Sequence, residues 1–216
     1  GAEDNASGTA GVLATAEAFV KSGVHAGRSI VFIGFAAEES GLLGSQALAS
    51  SPPFALRDMA AILNVDVLNL YGQTRDFSAL GLEQSTLGAA MQQAASAEGL
   101  KVTTNEEALL KGSYFRSDHF SLARVGVPGT SLESGNDYVG RPAGWGEEQH
   151  AKYTAERYHQ PSDQIQPWFN YDGALQQLRV IVRTALLVGG APEQPKWSSS
   201  SEFRQAGETR LEPGGK

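Results

Sequence analysis

The sequence predicts an α/β protein in which buried strands alternate with amphipathic helices in a layered sheet. Two short apolar runs rich in β-branched residues, at 29–37 and 60–68, are typical of buried central strands. Apolar residues with helical spacing occupy 7–22 and 172–187, and Gly23 ends the first of these helices. This alternation is the pattern of strands covered by helices.

The other elements follow from weaker local signals. The predicted elements between the two long helices are a helix at 41–50, a strand at 76–80, a helix at 85–98, an irregular stretch and a strand at 125–132. The residues after Gly190 are rich in Ser, Pro, Glu and Gly, which indicates a loosely attached tail. We therefore expect one domain over 1–190 and a C-terminal tail over 191–216.

Composition restricts the classes of partner and of site. The 216 residues are 41% apolar, which is enough for a folded core, and the net charge is -7 without any basic run. Nucleic acid and membrane surfaces are therefore not expected partners. No apolar run approaches the roughly 20 residues of a membrane helix. Cysteine is absent, so neither a disulfide nor a thiolate metal site can form.

Acidic residues stand at the ends of the two best-predicted strands. Asp66 follows an apolar run, where a buried carboxylate must be paired or bind a metal; a salt bridge or a strand-end cap explains it equally well. Glu38 and Glu39 leave the other strand and enter a glycine-containing turn. One of them can hold a metal while the other faces a bound water. The alternative is a solvated pair at the start of the next helix.

Two further segments carry candidate ligands. Asp4 lies in Gly-Ala-Glu-Asp-Asn-Ala-Ser-Gly before the first helix, where a helix cap is the alternative explanation. His159 lies in a loop with Asp163 four positions later, and this acid could hold the second ring nitrogen. The remaining histidines, His25, His119 and His150, carry no such signal. Carboxylates together with imidazole suit Zn²⁺, and a bridging acid is typical of sites with two metals.

Four motifs, taken in order, resemble one enzyme family. They are Gly1–Gly8, Ala36–Ser45 (Ala-Ala-Glu-Glu-Ser-Gly-Leu-Leu-Gly-Ser), Asn64–Asp66 and Tyr158–Asp163. With Tyr114–Phe120 and Gly126–Pro128, they are similar to the zinc exopeptidases that include aminopeptidase Y and the bacterial leucyl aminopeptidases. The resemblance covers residues 1 to about 190. It implies a three-layer α/β/α sandwich with a mostly parallel mixed central sheet.

The resemblance also implies a role for each candidate residue. Asp4 would bridge two zinc ions, Glu39 and His159 would complete one set of metal ligands, and Asp66 would bind the other ion. Glu38 resembles the general base and Tyr158 the hydroxyl that stabilises the tetrahedral intermediate. The motifs that contain Asp118 and Asp163 also match, and their roles stay open between orienting a ligand and supporting the fold.

The chain departs from the family pattern at one place. The family has a His-x-Asp element upstream of the bridging acid, and its His is the third ligand of the metal bound by Asp66. Only three residues precede Asp4 here, so we expect an N-terminally truncated member that also lacks the early strands. The metal at Asp66 would then be one ligand short.

The resemblance implies a metal-dependent aminopeptidase that acts on peptides with a free N-terminus. Two alternatives remain: a non-catalytic peptide- or protein-binding domain of the same fold, and an enzyme with one zinc like the glutaminyl cyclases. Many relatives are exported, which implies a periplasmic or secreted protein.

Overall fold

The computed structural model describes residues 1–212, which form a four-stranded mixed sheet with helices on both faces. The strands are β1 (Ile62–Asn64), β2 (Asp76–Leu80), β3 (Lys101–Val102) and β4 (Gly129–Glu133). The helices are α1 (Gly8–Ser22), α2 (Leu43–Ser50), α3 (Leu87–Ala97), α4 (Glu106–Leu110), α5 (His119–Arg124), α6 (Trp145–Glu156), α7 (Asp172–Gly190) and α8 (Arg204–Leu211). No helix of the described part is both long and apolar enough to cross a membrane.

The sheet has the strand order β1-β4-β2-β3. β1 is parallel to β4, β2 is antiparallel to β4, and β2 is parallel to β3. Two of these three strand pairs are therefore parallel. The predicted α/β fold with a mostly parallel mixed sheet is confirmed.

Two apolar cores lie on opposite faces of the sheet, because successive side chains of a strand point to opposite sides. Phe77 and Ala79 of β2 belong to the larger core, which α3 and α7 complete. Leu80, the next residue after Ala79, packs in a second core with Tyr114 and Trp197. Helices thus cover both faces, as the predicted three layers require.

The long periodic helices and two of the predicted strands agree with the sequence, but β1 lies at the edge of the described sheet and not at its centre. α1, α2, α3 and α7 lie within two or three residues of their predicted bounds, and β1 and β2 lie inside the predicted strands. β4 begins at Gly129 instead of Val125, because the chain turns first: Gly126 has a φ of 90°, a conformation that favours glycine.

The predicted strand at 29–37 is wrong for this structure. The segment is not paired with any strand within residues 1–212. Val31, Phe32 and Ile33 are each more than one-third exposed. A cavity of about 840 Å³ is lined both by this segment and by β1. Hydropathy indicates that a segment prefers to be covered, but it does not identify the strand that pairs with it.

The stretch predicted to be irregular contains β3, α4 and α5, and α6 was not predicted at all. α6 has few apolar residues and buries little more than Gly146 and Tyr153. Its polar composition hides the helical period that the sequence analysis used.

The C-terminal segment is packed against the body of the protein, so loose attachment is wrong for residues 191–212. Trp197 and Phe203 are buried, and Arg210 is only 3% exposed. The Arg210 guanidinium donates to the carbonyl oxygens of Gly126, Leu56 and Met59 at 2.7, 3.0 and 2.9 Å. The boundary at residue 190 stays a prediction, and 213–216 lie outside the described residues.

Arg210→Met should lower the free energy of unfolding by about 2–4 kcal/mol, because buried carbonyl groups lose their charged donor. Urea unfolding followed by circular dichroism measures the loss. Arg204→Met on the same helix is the matched control, since Arg204 makes only an exposed pair with Glu208. The control should change stability by less than about 1 kcal/mol. Equal losses in the two variants would contradict an anchoring role for Arg210.

Candidate metal centre

Asp4, Glu39 and His159 converge on one point. Each offers a ligand atom, and these atoms all lie within 4.8 Å of one another. His159 Nε2 is 2.8 Å from Glu39 Oε1 and 3.4 Å from Asp4 Oδ2. Two carboxylates and one imidazole at this spacing fit a zinc ion, which binds such ligands at about 2.0–2.2 Å.

Strained backbone holds two of these ligands. Ala37 and Leu42, on either side of the turn that carries Glu38 and Glu39, have φ values of 59° and 60°. His159 has a φ of 57° in the loop after α6. Such left-handed conformations are unfavourable for non-glycine residues and concentrate at functional sites.

Asp163 fixes the turn that carries Asp4. Its carboxylate accepts hydrogen bonds from the backbone N–H groups of Glu3 and Asp4, each at 3.0 Å. Its own carbonyl oxygen accepts from the N–H of Ala2 at 2.9 Å. The interaction with the second nitrogen of His159, considered from the sequence, is replaced by these backbone contacts. Asp163 therefore supports the site through the backbone of the neighbouring segment.

Glu3 and Arg157 form a buried pair that the sequence analysis missed. Arg157 Nη2 lies 3.4 Å from Glu3 Oε2 and donates to the Tyr71 hydroxyl at 2.7 Å. That hydroxyl donates to Glu3 Oε2 at 3.3 Å. Burial raises the pKa of Glu3 to about 7, while Arg157 opposes the shift. In the sequence, the one sign of this pair is that each member stands next to a predicted site residue: Glu3 precedes Asp4, and Arg157 precedes Tyr158.

Asp66 lies beside the cluster without belonging to its three-residue set. Its Oδ1 accepts from Asn5 Nδ2 at 2.8 Å, and its Oδ2 accepts from Ser117 Oγ at 3.0 Å. Burial raises the pKa of Asp4, and the nearby charge of Asp66 adds to the shift. Asn5, the neighbour of Asp4, thus links this segment to Asp66.

No imidazole joins Asp66 among residues 1–212. His119 is fully buried and packs edge-on against Tyr114, with 4.6 Å between ring centroids. Burial lowers the pKa of His119 to about 3, so its ring is neutral. The carboxylate of Glu3 is occupied by Arg157. Within residues 1–212, the cluster of possible metal ligands therefore contains Asp4, Glu39 and His159 but not Asp66.

Glu38 lies among the acids but outside the ligand cluster. Burial, together with the charges of Asp66, Glu39, Asp118 and Asp4, raises the pKa of Glu38 to about 7. Asp118, at the start of α5, is itself buried, which raises its pKa. A carboxyl group that takes up a proton near neutral pH has the property that a general base requires.

Tyr158 lies against the ligand histidine. Its ring stacks on that of His159, with 3.8 Å between centroids. The side chain is partly exposed, and burial together with Asp4, Glu39 and Glu38 raises the pKa of its hydroxyl. The hydroxyl therefore stays protonated at neutral pH and can donate a hydrogen bond. The individual roles of these site residues stay predictions.

The sequence matches the family model described as peptidase family M28 over residues 1–185. The chain therefore belongs to this family. It is 27% identical over 192 residues to leucine aminopeptidase 1 of Pyrenophora tritici-repentis, an alignment that covers 86% of this chain and 46% of the relative. It is 33% identical over 132 residues to a probable leucine aminopeptidase of Arthroderma otae, covering 59% and 35%.

Solved structures share the fold. The aminopeptidase from Aneurinibacillus sp. strain AM-1 superposes with a TM-score of 0.59 at 23% identity, covering 90% of this chain and 41% of that one. The LapA aminopeptidase of Legionella pneumophila gives a TM-score of 0.63 at 20% identity, covering 89% and 48%. The chain thus spans about half the length of the proteins that it resembles.

Asp163→Ala should weaken zinc binding about 10- to 100-fold although Asp163 is not a ligand in the cluster, because the turn carrying Asp4 loses its acceptor. Competition with a chromophoric zinc chelator measures the affinity, and thermal unfolding shows whether the variant is folded. Asp172→Ala, which removes an exposed acid, is the control and should bind as the wild type does. Unchanged affinity in folded Asp163→Ala protein would refute the supporting role.

Proposed function

We propose that the protein is a zinc-dependent aminopeptidase with a site for two zinc ions. The observation that carries the proposal is the convergence of Asp4, Glu39 and His159, with Glu38 as an additional acid beside them. The membership of peptidase family M28 supports a peptidase, and the names of the relatives support an aminopeptidase.

The chain's own residues would divide the work of hydrolysis. Bound zinc supplies Lewis-acid polarisation of the scissile carbonyl and acidification of water. The Glu38 carboxylate accepts the proton of the attacking water and returns it to the leaving amine. The Tyr158 hydroxyl donates a hydrogen bond to the developing oxyanion. The reaction adds one water molecule across one peptide bond.

The names of the relatives favour the amino end of a peptide as the substrate, because they are leucine aminopeptidases. The proposed substrate is therefore a peptide with a free N-terminus. A periplasmic or secreted location is part of the proposal and rests on the resemblance alone.

The two alternative functions would each require a different number of bound zinc ions. An enzyme of the glutaminyl cyclase type would hold one zinc and would cyclise N-terminal glutamine, whereas a binding domain would hold none. For the 216-residue chain we expect one tight zinc at Asp4, Glu39 and His159, and a much weaker second one. Zinc analysis, together with assays for aminoacyl anilide hydrolysis and for glutamine cyclisation, separates the three.

His159→Ala should abolish tight zinc binding, because His159 is the only nitrogen ligand of the cluster. Tyr158→Phe should keep the zinc, since only a hydroxyl outside the ligand set is lost. Zinc titration of both variants against a chelator measures the difference. Equal loss of zinc in the two variants would show that this loop acts through folding instead of coordination.

Glu38→Gln should keep zinc and lower kcat at least about 100-fold, the scale of general-base loss. Glu39→Gln is the matched neighbour and should instead weaken zinc binding. Both are measured by zinc content and by aminoacyl anilide hydrolysis in the protein expressed from its full gene. If Glu38→Gln loses zinc while Glu39→Gln retains it, the two roles are reversed.

A further inference from the structure

A second concave site is lined by Tyr71 and Arg157, which both contact Glu3. Its volume is about 490 Å³, which is within the usual range for small-molecule sites. The wall residues that matter are Tyr71, Trp145, Trp168, Arg141, Lys152 and Arg157. None of them belongs to the zinc cluster, and nothing in the proposed mechanism uses the cavity.

Aromatic rings form one half of this cavity. Tyr71 lies with its ring centroid 5.2 Å from that of Trp168 and 6.3 Å from that of Trp145. Trp168 is about half exposed, although it is among the largest apolar side chains of the protein. Three rings that face a common cavity offer flat surfaces against which another ring can stack.

Cationic groups form the other half. Arg141 lies over the Trp145 ring at 4.6 Å, and Arg157 lies over the Trp168 ring at 4.8 Å. Neither Arg141 nor Lys152 forms a salt bridge with any residue of 1–212. Among residues 1–212, Glu156 is the one acidic residue that lines this cavity. This excess of positive charge occurs in a chain whose net charge is -7.

Arg157 is held in the wall of the cavity by its neighbours. Its Nη2 donates to the Tyr71 hydroxyl at 2.7 Å and lies 3.4 Å from Glu3 Oε2, which fixes the guanidinium group in place. The planar guanidinium group matches the geometry of a carboxylate.

We propose that this cavity binds a carboxylate joined to an aromatic ring. The carboxylate binds among Arg157, Lys152 and Arg141, while the ring stacks on the indoles of Trp145 and Trp168. Two sources offer this chemistry: a free aromatic amino acid, and the carboxyl end of a peptide whose last residue is aromatic. Glu156 gives the first source a partner for its ammonium group.

The test uses 3-phenylpropanoate and metal-free protein, so that binding to zinc cannot contribute and the result is independent of the proposed peptidase. Isothermal titration should show 3-phenylpropanoate binding at least about tenfold more tightly than 3-phenylpropanamide, which lacks the charge, or propanoate, which lacks the ring. The indole N–H resonances of Trp145 and Trp168 should shift, while that of Trp197, in the core beside Phe203, should not. Equal binding of acid and amide, or no binding, overturns the proposal.

The double variant Arg141→Gln/Lys152→Gln should bind the probe about tenfold more weakly. Its control is Arg124→Gln/Lys101→Gln, which removes the same charge and also one arginine placed over a ring, that of Phe120. The control should bind within about twofold of the wild type. Equal weakening in both would overturn the assignment to this cavity.

Tighter binding of phenylalanine than of N-acetylphenylalanine supports the free amino acid as the source, and the reverse order supports a peptide end.

Discussion

The candidate metal centre depends on one carboxylate, that of Asp163, which is not among the three clustered residues. Asp163 accepts the backbone N–H groups of Glu3 and Asp4, and the same loop carries His159 four residues earlier. The Glu3–Arg157 pair joins these two segments a second time. Ligands 155 positions apart in sequence therefore keep their mutual geometry through bonds that need no ion. Such prior ordering lowers the conformational entropy that metal binding must remove.

Much of the site was accessible from the sequence because its signals are local. A carboxylate that directly follows an apolar strand, as Asp66 does, is costly unless it has a partner, so it stands out without any knowledge of the fold. The family resemblance carried by the four motifs implied that Asp4, Glu39 and His159 would meet, and their ligand atoms lie within 4.8 Å of one another. β1, β2 and the long helices were equally visible from their hydrophobic period.

The remaining features depend on contacts between distant residues that no local pattern encodes. Residues 29–37 have the composition of a strand, but pairing requires a neighbour that the described part does not provide. The polar tail was judged by its composition, whereas Trp197 and Arg210 decide its packing. Glu3 and Arg157 look like ordinary surface charges in the sequence. Their burial becomes apparent only when the two segments are seen side by side.

The hydrogen bonds made by the Arg210 guanidinium have a consequence for how the chain folds. Its hydrogen bonds to Leu56 and Gly126 span 154 and 84 residues, and they fasten the segments that lead into β1 and β4. The parallel pairing of these two strands is itself a long-range contact. Contacts of such high sequence separation slow folding, because a long loop must close first. During synthesis the hydrogen bonds of Arg210 cannot form until α8 has left the ribosome, so the segments that lead into β1 and β4 lack this connection until then.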